Sequence, residues 1–176
     1  MDTKMFCYQC QESTKNVACT IKGVCGKDPE VAGLQDVLMY VIKGTSKLAV
    51  KAREMGIEVD RKVDHNIIDN LFSTVTNVNF NPRDFVKRIN EAIEVRDQLK
   101  DELMKNGVKL DESLLTDEVT WKASSREEFE QKARSVGIPD LTTDEDIRSL
   151  RELITYGVKG IAAYADHAAN LGYQKE

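Results

Sequence analysis

Cysteine is scarce and confined in this sequence: four occur among 176 residues, at positions 7, 10, 19 and 25, and none follows Cys25. Histidine is scarcer, with only His65 and His167, which excludes a site built on three or more imidazoles. No apolar run approaches the ~20 residues that span a bilayer, and Met1 to Phe6 is too short and polar for a signal peptide. We therefore expect a soluble, cytoplasmic chain with no membrane partner. A Gly-rich phosphate loop, a Walker signature and a Ser–His–Asp arrangement are all missing, so nucleotide and hydrolase chemistry have no motif to stand on. Basic excess is missing too. The 25 Lys and Arg are outnumbered by 30 Asp and Glu, for a net charge of −5, and are dispersed among the acids, so nucleic acid is not an expected partner.

What the sequence does contain is helical pattern. With 41% hydrophobic and 31% charged residues, the chain is long enough to bury a core. Asp28-Pro29-Glu30 reads as a helix start: Asp suits a cap, Pro the first helical position, and Glu the positive helix end. Val31, Leu34, Leu38, Val41, Ile42 and Leu48 mark the buried face of this helix, and Gly56 its stop. A second helix is expected over about 63–75, and a third from Asn81-Pro82 to Gly107, with a short turn around 111–115. Ser124 or Ser125 caps a helix ending near Gly137. Thr142-Thr143-Asp144-Glu145 reads as a capping box, and Ile147, Leu150, Leu153, Ile154, Val158, Ile161 and Tyr164 carry one long helix to Gly172. The fold class is all-α: a helical bundle, arranged for instance as two three-helix units, behind an N-terminal Cys-rich loop. We expect 1–27 to form that loop and 28–176 the bundle. Gly157 and Gly160 interrupt the last helix, for which close helix packing is the simplest explanation.

Cys7-x2-Cys10-x8-Cys19-x5-Cys25 is the one concentrated chemistry. In a reducing compartment, clustered cysteines point to metal ligation more than to disulfides. A two-residue gap lets paired thiolates reach one centre while the longer gaps wrap the chain around it. Spacing alone leaves iron–sulfur, four-cysteine zinc and disulfides open. Around an anionic cluster, Gly23 and Gly26 allow close approach of backbone amides, Lys22 and Lys27 add positive charge, and the helix beginning at Asp28 directs its positive end toward Cys25. Phe6 and Tyr8 flank the first ligand and either shield it from solvent or simply pack there.

Met5-Phe-Cys-Tyr-Gln-Cys-Gln-Glu, Ala18-Cys-Thr-Ile-Lys-Gly-Val-Cys-Gly-Lys and Gly33-Leu-Gln-Asp-Val-Leu-Met-Tyr-Val-Ile-Lys-Gly44 resemble the start of the hybrid cluster proteins, also called hydroxylamine reductases or prismane proteins. The stretch from Tyr156 to Tyr173 is similar to the same family's N-terminal helical domain. The resemblance implies a [4Fe–4S] cubane on Cys7, Cys10, Cys19 and Cys25, acting as an electron conduit in an oxidoreductase. It also implies two partners, a redox electron donor and the remaining domains of a longer enzyme. The family's catalytic hybrid cluster uses further cysteines, a histidine and glutamates from later domains. With no cysteine after Cys25, the chain is expected to lack that centre, to be inactive alone, and to stop at a domain boundary just past Gly172. A zinc- or cluster-stabilised helical scaffold or docking module is the alternative reading.

Other chemistry-bearing residues have ordinary explanations. His65 reads as a surface residue and His167 as a cation at a helix C-terminus. Glu127-Glu128 and Asp144-Glu145-Asp146 open helices, and Trp121 marks local packing or an interdomain contact.

Overall fold

In a computed structural model that describes residues 5–140 and 142–173, the chain is helical apart from one isolated antiparallel bridge between Cys7 and Cys19. Among the described residues, six α-helices follow one another: α1 Pro29–Glu54, α2 Arg61–Ser73, α3 Pro82–Lys105, α4 Asp117–Thr120, α5 Arg126–Val136 and α6 Glu145–Asn170. Among the described residues, no helix is long and apolar enough to cross a membrane.

Local chemistry sets most helix limits. Pro29 and Pro82 open α1 and α3, where a missing N–H costs nothing. Asn81 accepts from the Arg83 amide at 3.0 Å. Asp60 accepts from Lys62 at 2.9 Å and starts α2 two residues before the expected point. Ser125 and Glu128 form a reciprocal capping box on α5. The box expected at Thr142 does not form as such: Asp144 is the cap, accepting from the Ile147 amide at 3.0 Å, while Thr142 accepts from the Asp144 amide. Gly56, Gly107 and Gly172 follow α1, α3 and α6 with φ of +70°, +79° and +78°, the left-handed geometry that ends helices.

Parallel α1 and α3 form the centre, with Leu34, Val37, Leu38 and Val41 against Phe85 and Ile89, and Phe129 of α5 closing one side. Toward the other end, Leu48 and Ala52 meet Leu99, Leu103, Val63 and Val119. Two contacts there escape a reading of periodicity. A Cβ on Gly44 would lie 2.1 Å from the Glu118 carbonyl oxygen, so α4 sits directly on the α1 backbone. Arg96, fully buried, donates to the carbonyls of Glu118 (3.1 Å) and Trp121 (2.8 Å) and pairs with Asp97. One side chain thereby satisfies two carbonyls at the end of a helix that is four residues long, those of Glu118 and the capping Trp121. Trp121 packs locally, its ring 6.1 Å from Phe129.

α6 lies across α2 and the Cys-rich loop with its polar side inward. Glu152, Lys159 and Asp166 are buried, with Ala162 between them. The apolar residues that carry the helix are exposed: Leu150 62%, Leu153 68%, Ile154 66%, Ile161 70% and Tyr164 81%. A Cβ on Gly157 or Gly160 would meet nothing within 4 Å. Close packing within the described residues therefore does not account for these glycines, each of which costs about 1 kcal/mol relative to Ala in a helix.

Candidate metal centre

The four cysteines occupy the loop that precedes α1. Cys7 and Cys19 pair through their backbones, with Cys7 N–H donating to Cys19 C=O at 3.1 Å and Cys19 N–H to Cys7 C=O at 2.8 Å. That bridge closes the loop carrying Cys10. Against it packs Ala32 from the first turn of α1, together with Met5, so the positive end of α1 abuts the Cys7–Cys19 pair. All four cysteines are free thiols: Cys19 is buried, Cys7 and Cys10 half-buried, and Cys25 exposed. Among the described residues, no three His, Cys, Asp or Glu side chains converge on a single-ion site.

The loop brings hydrogen-bond donors to its sulfurs. Thr14 Oγ1 lies 3.5 Å from Cys19 Sγ. This hydroxyl, helped by the amides of Thr14 and Val24 and by the charge of Lys27, lowers the Cys19 thiol from its ordinary value despite burial. The thiolate so favoured is the form that binds metal. Thr14 is held by a 3-10 turn in which Lys15 and Asn16 both adopt φ of +56°; for Lys this is a strained conformation.

Cys25 sits on a tight turn, Gly26 N–H donating to Gly23 C=O and Gly23 N–H to Lys27 C=O, each at 2.8 Å. Both glycines are required there. Gly26 has φ +93°, and a Cβ on Gly23 would stand 3.1 Å from Cys25 Sγ and 3.0 Å from the Lys27 side chain. The two lysines expected near the cluster diverge. Lys27 is 2% exposed, with its Nζ 2.7 Å from Gln35 Oε1 and 4.0 Å from Cys7 Sγ. Lys22 stays at the surface, 3.3 Å from Asp28.

Behind Cys7 lies a half-buried, mostly polar layer that periodicity did not signal, because its members are spread over the loop, α1 and α6. Phe6 stacks edge-on to Tyr8, and Tyr8 to Tyr156 of α6, with ring centroids 5.4 and 5.7 Å apart. With its amide oriented to suit both neighbours, Gln9 donates to the Thr74 carbonyl at 3.2 Å and accepts from Lys159 at 3.3 Å. Burial pushes the Asp36 carboxyl up to about 7, with Glu152 reinforcing and Lys159, Lys27 and Lys43 opposing. Burial also brings the Lys159 ammonium down to about 8, against the pull of Asp36. A cavity of about 30 Å³ touches Gln9, Gln35, Asp36 and Lys159, room for a single water. His65 and His167 are both exposed on other faces, and His167 stacks edge-on to Phe72.

Comparison with known proteins adds to this geometry. A family model described as the Prismane/CO dehydrogenase family matches residues 5–176. A hydroxylamine reductase of Clostridium novyi is 56% identical over 172 residues, covering 98% of this chain and 31% of that protein. One from Caldanaerobacter subterraneus subsp. tengcongensis is 51% identical over 173 residues (98% and 31%), and one from Parabacteroides distasonis 54% identical over 170 (97% and 30%). The chain thus spans about a third of the length of the curated relatives it matches.

Proposed function

Because the chain belongs to the Prismane/CO dehydrogenase family, we propose that Cys7, Cys10, Cys19 and Cys25 hold one [4Fe–4S] cluster, and that the chain serves as the electron-transfer part of a hydroxylamine reductase. In this reading, reduction of hydroxylamine takes place on parts of the longer enzyme outside these residues, electrons arrive from a reduced protein donor, and the 176 residues alone are inactive. A cluster of this kind supplies one-electron redox chemistry when bound.

The observation that carries the proposal is the donor-lined loop of free thiols closed by the Cys7–Cys19 bridge. Thr14 and the amides of Thr14 and Val24 offer hydrogen bonds to Cys19, and Lys27 brings a buried cation to Cys7. The Gln35 Nε2 group beside Lys27 is buried without a partner among the described residues. Uncompensated donors and a buried cation fit an anionic group bound at the loop and would be costly without one. The chain's own residues then have separate tasks. The cysteines anchor, Thr14 and Lys27 favour the reduced, more negative state, and the Phe6–Tyr8–Tyr156 stack limits water on one side.

The test is visible absorption and iron-to-sulfide stoichiometry of anaerobically prepared protein, before and after dithionite. A brown protein with about four irons that bleaches on reduction is expected. A colourless protein with one zinc after anaerobic reconstitution overturns the proposal in favour of a structural scaffold. Cys10→Ser is expected to abolish cluster assembly, and unchanged iron and sulfide content in that variant refutes the ligand assignment.

A further inference from the structure

The arrangement of α6 carries an inference that rests on family membership and not on the cluster reading. At 100° per residue, Ile147, Leu150, Leu153, Ile154, Val158, Ile161 and Tyr164 fall within one arc of about 140° along the helix. These residues are between 42% and 81% exposed. Only Gly157 and Ala165 share the arc between Ile147 and Tyr164's neighbour, so it bears no charge over five turns. The opposite face, with Glu152, Lys159 and Asp166, is the one the protein buries. An amphipathic helix normally buries its apolar stripe; here burial of the polar face leaves that stripe outward. A continuous, mostly exposed apolar stripe of this length differs from the singly scattered apolar side chains usual on a surface and marks an interaction face.

Gly157 sits inside this stripe, flanked by Leu153, Ile154 and Ile161, and a Cβ there would touch nothing. The glycine makes a notch between large side chains, into which a side chain or backbone from outside can fit. The occupant is indicated by length. Relatives that match 97–98% of this chain are only 30–31% covered by it, so about two-thirds of a family member lies outside the matched region. We propose that the α6 stripe from Ile147 to Tyr164 is an internal interface of the longer family protein, covered by an apolar segment from that outlying part whose side chains fill the notch at Gly157.

The test uses this chain as it stands and a full-length chimera in which it replaces the matched region of the Clostridium novyi enzyme. Hydroxyl-radical footprinting reads side-chain accessibility in both. Modification of Leu153, Ile161 and Tyr164 is expected to fall by about an order of magnitude in the chimera, as in the water-excluded centre of an interface, while exposed Val50 and Met55 stay unchanged. Leu153→Asp with Ile161→Asp is expected to leave the melting temperature of the 176-residue chain unchanged and to lower that of the chimera. Equal footprints in the two proteins, or a chimera indifferent to the double substitution, overturn the proposal. So does a concentration-dependent dimer of the short chain that protects the stripe, combined with a chimera that leaves it open, since the occupant is then a second copy. Iron and sulfide content, measured on the same samples, keeps a failure here separate from a failure of the cluster assignment.

Discussion

At the scale of single residues, Lys27 and Lys22 differ in what they do although both lie within three positions of Cys25. Lys27 is buried against Gln35 and reaches toward Cys7, whereas Lys22 pairs with Asp28 in solvent, where ion pairs contribute little. Removing a buried cation beside an anionic cluster disfavours the extra electron. With the proposed cluster bound, Lys27→Met is therefore expected to shift its reduction potential negative by tens of millivolts and Lys22→Met to leave it nearly unchanged, as read by a redox titration of the two variants. Gly44 is the other decisive residue, since any side chain there collides with the Glu118 carbonyl. Gly44→Ala is expected to cost about 1–3 kcal/mol through forced displacement of α4, measured as a lower urea midpoint at unchanged slope.

At the scale of elements, α4 is too short to be stable by itself and is held by what surrounds it. Arg96 binds two carbonyls at its end from α3, Lys132 of α5 and Tyr40 of α1 both bond Asp117, and Val119 fills the core. Arg96→Ala leaves the Glu118 and Trp121 carbonyls without this donor while Asp97 keeps Lys100 and Lys122, and the expected loss is about 2–5 kcal/mol. Arg96→Lys is expected to recover only part of this, because one ammonium cannot span both carbonyls. A chemical denaturation series of the three proteins decides the point. Equal stability of all three would mean that the carbonyls find other donors.

At the scale of the whole molecule, the Cys-rich loop and the distal core are separate. The loop packs on the start of α1 through Met5, Ala32 and the cysteines, while Leu48, Leu99, Leu103 and Val119 pack at the other end. Removal of the proposed cluster by chelation under oxidising conditions is expected to leave far-ultraviolet circular dichroism largely unchanged, and a collapse of helicity would contradict this division. The half-buried layer between loop and α6 links stability to pH. Folded Asp36 titrates near 7 and the unfolded group near 3.9, so the folded state holds a proton that the unfolded state has lost. The contribution of Asp36 is complete below about pH 4 and declines as pH rises through 7. Lys159 has the opposite sign: with a folded value near 8 and an unfolded value near 10.4, its contribution climbs with pH across that interval. Urea midpoints collected from pH 4 to 10 are expected to show both slopes, the first lost in Asp36→Asn and the second in Lys159→Met.

The sequence by itself determined the all-α class and most helix limits, because caps, prolines and terminal glycines act through neighbours a few residues away. It also singled out the four cysteines, through their confinement and their resemblance to a known family. The limits of α2 and α6 moved by a few residues where Asp60 and Asp144 took the cap, and α4 was not legible, since four residues have no period to read. Only the tertiary structure decided that Lys27 is buried and Lys22 is not, that Gly44 lies under a carbonyl, that Arg96 serves two elements, and that α6 turns Glu152, Lys159 and Asp166 inward. Each of these depends on contacts between residues distant in the chain. Periodicity reports that a helix has two faces, but which face is covered is set by what lies against it.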